Sequence, residues 1–162
     1  MPNILIICTA NICRSPVVEV LLRNRLQELG LTDWNVSSAG TWAEYGSRPS
    51  EFSAQLMAEQ GFDISNHRSR IINEALLAES DLVLCMELGH VEALRAEFRK
   101  YGSKIYLLSE MSGRRINVKD PYGGPREEYE RMVSEVTDLI DKGLPRAIRA
   151  AQANEYIRLA RE

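Results

Sequence analysis

Four short runs in the chain are rich in strand-forming residues: Asn3 to Ile7, Trp34 to Ser38, Leu82 to Met86 and Lys104 to Leu108. The first and third, read as ILII and LVLCM, lack the polar alternation of a half-exposed strand and suit burial on both faces. Helical spacing fills the intervals. Val17, Val18, Leu21, Leu22, Leu26 and Leu29 share one face of a helix over Val17 to Leu29, with Gly30 placed to cap its end. Ser50 to Gln60 reads as a second helix, N-capped by Ser50 and followed by Gly61. Asn73 to Ala78 makes a short third and Leu88 to Tyr101 a fourth. The segment Glu127 to Arg161 is helical almost throughout, with a break expected at Lys142-Gly143-Leu144-Pro145. Strands alternating with helices predict βαβ units, hence a parallel sheet covered on both faces. No internal repeat or linker interrupts the pattern, so residues 1–162 read as a single α/β domain.

Composition narrows the function classes. A chain of 162 residues suffices for one core, burying about 70% of its unfolded surface. A net charge of -3 argues against a broad nucleic-acid or anionic-membrane surface, so any anion site must be built locally. Three cysteines, an odd number without framework spacing, argue against a disulfide-stapled fold. The apolar run Ile4 to Cys8 is too short for a signal sequence and lacks a basic flank. No segment approaches the roughly 18 apolar residues of a membrane span. A reducing cytoplasm is the expected setting.

The candidate chemistry sits in CTANICRSP, Cys8 to Pro16. Cys8 falls at the end of the first strand, and Ser15-Pro16 opens the first helix, with proline favoured in a first turn. In open α/β sheets ligands lie beyond the carboxyl ends of strands, near helix N-termini. The loop Thr9-Ala10-Asn11-Ile12-Cys13 can therefore turn its backbone N–H groups inward as an anion nest, aided by the helix dipole. Arg14 adds a planar fork of donors for two phosphate oxygens. The same field favours a thiolate at Cys8. A tetrahedral oxyanion held over a nucleophilic sulfur is the chemistry these residues point to.

Two other readings compete. Cys8 and Cys13 have metal-ligand spacing, but a structural zinc site takes four ligands and only Cys85, His67 and His90 remain, with Cys85 placed as a core residue. That disfavours zinc, and neither a metal nor a cofactor is expected. Attack on phosphorus also needs a group to protonate the leaving oxygen. Asp120, in VKDPYGG, lies in an exposed loop marked by Pro121, Gly123 and Gly124. The same residues equally suit a plain Asx turn.

CTANICRSP, SSAGT (Ser37 to Thr41), HRSR (His67 to Arg70), DLVLCM (Asp81 to Met86) and DPY (Asp120 to Tyr122), in that order, resemble the low-molecular-weight protein tyrosine phosphatases over essentially the whole chain. The resemblance implies a four-stranded parallel sheet flanked by helices. It also implies Cys8 as the nucleophile of a phosphocysteine intermediate, Arg14 as the phosphoryl clamp, and Ser15 as the hydroxyl bonded to the thiolate. Asp120 becomes the general acid and then the base, and no metal is implied. Asn11, Ser38 and His67 match a network supporting the loop, and Asn tolerates the left-handed backbone such a loop requires. Cys13 matches a neighbour able to trap oxidised Cys8 as a reversible disulfide. Ala10 departs from the glycine usual in the family, adding strain if its φ is positive. Gly123 stands where animal members often carry a second aromatic residue.

The expected partner is a phosphotyrosine-containing protein. A cleft with aromatic walls favours a long aryl phosphate, with Tyr122 as the principal wall and Trp42 and Tyr45 as further candidates. A related group of enzymes removes phosphate from arginine, and its DPFGG resembles DPYGG here. Those relatives place Thr where this chain has Ile12, whose apolar bulk favours a flat ring. Arsenate reductases of similar fold need two further cysteines for their disulfide relay, and only Cys85 lies downstream. A silent phosphate-binding module would need neither the thiol nor the acid.

Overall fold

The structure, a computed structural model, describes residues 1–162. Four parallel strands form one sheet: β1 (Asn3–Cys8), β2 (Asn35–Gly40), β3 (Leu82–Cys85) and β4 (Ile105–Leu107), in the order β2-β1-β3-β4. Helices α1 (Arg14–Glu28), α2 (Glu51–Glu59), α3 (Glu74–Glu79), α4 (Leu88–Glu97) and α5 (Arg126–Leu159) complete the chain with 3-10 turns at Arg99–Lys104 and Leu108–Ser112. The order reverses at β1, which pairs with β2 on one side and β3 on the other. That switch point opens a crevice at the carboxyl ends of β1 and β3. Cys8 ends β1 there, and Glu87 follows β3.

Successive residues of a strand face opposite sides, and both sides are apolar here. Ile4, Ile6 and Cys8 join α1 and α5 in one core, while Leu5 and Ile7 join α3 and α4 in the other. The predicted α1 face packs as expected through Val17, Val18, Leu21, Leu22 and Leu26. Leu29 does not belong to it. It lies beyond the last turn and is exposed, ahead of Gly30 at φ 80.

Two helix boundaries differ from expectation. The pattern over Leu88 to Tyr101 divides at Phe98, whose φ -121 and ψ 58 leave the helical region, and a 3-10 turn then leads into β4. Arg95 stabilises this exit by donating to the carbonyls of Gly102 and Ile105. The predicted break at Lys142 to Pro145 is absent, and α5 runs through it as one helix of 34 residues. Pro145 faces solvent and so does Asp141, whose carbonyl loses its helical partner, so water can satisfy it. Gly143 faces inward instead. A Cβ there would lie 2.7 Å from Met111 Cβ, so glycine allows the Leu108–Ser112 turn to press on the helix.

At its far end α5 is fastened to the start of the sheet. Arg158 Nε donates to buried Asp81 Oδ1 at 2.8 Å, and Asp81 Oδ2 accepts the Asn3 amide at 2.8 Å. No helix is long and apolar enough to cross a membrane.

Candidate active site

The loop Thr9–Cys13 is held from outside through its carbonyls. The Cys8 and Thr9 carbonyls accept from the amides of Thr41 and Trp42, each at 3.0 Å. The Ile12 carbonyl accepts from the Ser50 amide at 2.9 Å, and that of Cys13 from Ser53 Oγ at 3.0 Å. The Asn11 carbonyl accepts from His67 Nε2 at 2.7 Å. With the carbonyls drawn outward, none of the amides of Thr9 to Cys13 donates to a protein acceptor. Unpartnered amides ahead of α1 leave the loop's donors free for an anion, as a nest of the expected kind requires.

Asn11 sets the loop's shape. It is the one non-glycine residue with positive φ, at 59°, and it is fully buried. Its Nδ2 donates to Ser15 Oγ (2.7 Å) and Ser38 Oγ (2.9 Å), and its Oδ1 accepts from the Arg70 amide (3.1 Å). Arg70 Nε in turn donates to the Ser38 carbonyl. Ala10 keeps negative φ, so its methyl group carries no backbone strain. Gly40 is required for the approach of β2, since a Cβ there would stand 2.3 Å from the Thr9 carbonyl oxygen.

Cys8 is buried, with Sγ 3.0 Å from Ser15 Oγ. Arg14 is 1% exposed. Its Nη1 donates to Glu87 Oε2 (2.9 Å) and to the Val118 carbonyl (2.7 Å), which fixes the guanidinium plane. Its opposite edge stays available: Nε has no partner, and Nη2 has only long contacts, 3.4 Å to Thr9 Oγ1 and 3.6 Å to Asp120 Oδ2. A guanidinium edge of this kind matches two oxygens of a phosphoryl group.

Asp120 forms the Asx turn, and its second carboxylate oxygen faces the site. Its Oδ1 accepts the Tyr122 amide at 3.1 Å, an Asx turn, while Oδ2 is turned toward Arg14. A shallow cleft is lined by Cys8, Ala10, Ile12, Cys13, Arg14, Asp120 and Tyr122. Trp42 and Tyr45 do not line it. Trp42 reaches the loop by its backbone alone, and both side chains are exposed.

The other two cysteines, Cys13 and Cys85, are also buried. Burial pushes the Cys13 thiol up, with Tyr129 OH 3.5 Å from its sulfur. Burial also raises the Cys85 thiol, inside β3. Sequence reasoning missed Glu87, Arg70 and Gly40, and weighed His90 only as a metal ligand, whereas its Nε2 lies 2.8 Å from Thr9 Oγ1. Glu87 and His90 both belong to one stretch after β3, MELGH, whose position at the switch point was the available signal.

The family model for "Low molecular weight phosphotyrosine protein phosphatase" matches residues 3–154. The chain is 32% identical to a protein-arginine-phosphatase of Bacillus subtilis, over 85% of this chain and 91% of that one. It is also 32% identical to a low molecular weight protein-tyrosine-phosphatase of Streptomyces coelicolor, over 88% and 91% of the two chains. Among solved structures, the low molecular weight protein tyrosine phosphatase of T. tengcongensis superposes with a TM-score of 0.84 at 37% identity, covering 90% of this chain and 99% of that one. The family model over residues 3–154, the identity to curated relatives and the shared fold lead to one conclusion: this chain belongs to the low molecular weight phosphotyrosine protein phosphatase family.

Proposed function

We propose that the protein hydrolyses phosphotyrosine in protein substrates through a phosphocysteine intermediate, without a metal. The observation that carries this reading is the ring of unpartnered donors around Cys8: the loop amides and the Nε edge of buried Arg14. These donors hold the three equatorial oxygens as the Cys8 sulfur attacks phosphorus in line, and they neutralise charge that grows in the transition state. Asp120 protonates the departing phenolic oxygen and then removes a proton from the attacking water. Ser15, 3.0 Å from the sulfur, stabilises it as a leaving thiolate in the second step. A reducing, cytoplasmic setting keeps Cys8 available for this chemistry.

Ile12 and Tyr122 support the aryl substrate, because both line the cleft and can flank a flat ring. The lining offers a single carboxylate, Asp120, to the several N–H donors of a phosphorylated guanidinium. A second reading rests on the similarity to the Bacillus subtilis enzyme named protein-arginine-phosphatase. The deciding experiment measures phosphate release from a phosphotyrosine peptide and a phosphoarginine peptide in EDTA and reductant, beside Cys8→Ser. Faster release from phosphotyrosine, abolished by the substitution, is expected. Faster release from phosphoarginine would keep the mechanism and reverse the specificity. Release that survives Cys8→Ser would overturn the mechanism.

A further inference from the structure

His90 lies at the third position of α4 and hydrogen-bonds in two directions. Its Nδ1 is 3.2 Å from the backbone nitrogen of Glu87, the residue that caps the helix. A backbone N–H can only donate, so Nδ1 must present its lone pair. Burial and the nearby positive charge of Arg14 keep the ring neutral, holding its pKa down at about 4 against the pull of Glu87 and Asp120. A neutral ring with an unprotonated Nδ1 carries its proton on Nε2. The nearest acceptor for that proton is Thr9 Oγ1 at 2.8 Å, ahead of Glu87 Oε2 at 3.4 Å.

The consequence falls on Thr9. A hydroxyl has two lone pairs and one proton. Its oxygen already receives His90 Nε2–H and, at 3.4 Å, Arg14 Nη2–H. Its own proton is thus left to donate, and no protein acceptor takes it. The same Arg14 Nη2 is 3.6 Å from Asp120 Oδ2, and Arg14 and Asp120 both line the cleft beside Cys8. We propose that Thr9 Oγ–H is a further phosphoryl-oxygen donor of this site, and that His90 is the positioning residue that turns it there, through a tautomer fixed by the cap of α4. The cap of a helix on one side of the crevice thereby sets the direction of a proton on the other. This inference rests on the phosphatase reading of the Cys8 loop.

The test measures hydrolysis of the phosphotyrosine peptide and inhibition by orthovanadate, with thermal unfolding followed for each variant. Thr9→Val keeps the shape and removes the hydroxyl; it should lower kcat/KM and weaken vanadate inhibition, each by about tenfold for one neutral donor. Thr9→Ser should restore both. His90→Gln keeps a donor near the Nε2 position and should retain most activity. His90→Asn keeps only the link to the helix cap and should lose as much as Thr9→Val, with the double variant no worse than either. Thr9→Val that inhibits and turns over like the unsubstituted chain would overturn the proposal, as would losses that add in the double variant. If His90→Asn does not fold, Thr9→Val and His90→Gln still decide. Failure of vanadate to inhibit the unsubstituted chain would instead overturn the phosphatase reading itself, and this proposal with it.

Discussion

Asn11 Nδ2 donates to Ser38 Oγ at 2.9 Å, joining the apex of the Cys8 loop to the end of β2. The second hydrogen of the same nitrogen goes to Ser15 Oγ, so one amide spans strand, loop and helix. Asn11→Ala removes these bonds and the Arg70 contact, and it places a poor left-handed residue at φ 59. We expect a loss of about 2–4 kcal/mol, from about 1 kcal/mol per bond plus the backbone term. Urea unfolding measures it, and kcat should fall more than KM rises because the loop's shape serves the transition state.

Asp120→Asn keeps the Asx turn and removes the transferable proton. For phosphotyrosine, whose leaving group is poor, kcat should fall by about 10²–10⁴. For p-nitrophenyl phosphate, whose leaving group needs little protonation, the loss should be smaller. Equal losses on both substrates would remove Asp120 from the acid step.

The lowered pKa of His90 makes stability depend on pH. Well above pH 6.5 the ring is uncharged in both folded and unfolded chains and contributes no slope. As pH falls below the ordinary value of 6.5, the unfolded chain takes up a proton that the folded chain refuses until about 4. Folding should therefore weaken through this window, by up to about 3 kcal/mol relative to His90→Gln. Denaturation midpoints of the two proteins, taken from pH 7 to pH 4.5, should diverge steadily. Parallel curves would show that the ring charges freely.

Gly143 and Pro145 should respond in opposite directions to alanine. Gly143→Ala forces a methyl group against Met111 at 2.7 Å and should cost about 1–3 kcal/mol, despite alanine's better helix propensity. Pro145→Ala restores a helical N–H on an exposed face and should stabilise by roughly 1–3 kcal/mol. Thermal unfolding of the two single variants tests both signs.

Peroxide should oxidise Cys8 to a sulfenic acid, which condenses with the Cys13 thiol to a disulfide and water. Dithiothreitol should then restore activity. In Cys13→Ser, prolonged exposure should leave a loss that reductant does not reverse.

The sequence made the Cys8 loop legible because its chemistry is contiguous: a strand's end, a run of small and polar residues, an arginine and a helix start. The exposed loop of Asp120 was legible through its Pro and Gly neighbours, which suited an Asx turn equally; the acid role was implied only by the family resemblance. Glu87, His90, Arg70 and Gly40 were not, since each is an ordinary residue type whose role depends on what the sheet order places opposite it. The α5 reading failed for a related reason. Gly and Pro in KGLP carry a strong local signal against helix, but one faces a tight packing contact and the other faces water. Only tertiary position separates those uses from a true break.

The long α5 also bears on how the acid is delivered. Val118 is pinned by its amide to Met86 and by its carbonyl to Arg14, and Arg126 at the other end is clamped to Glu59 of α2. Only the stretch 119–125 hangs between these anchors, and the helix that begins after it is moored as far away as Asp81. So short a leash limits how far Asp120 can travel. The carboxyl of Asp120 already stands 3.6 Å from Arg14 Nη2, so turnover should be indifferent to added viscogen wherever chemistry, rather than product departure, sets the pace.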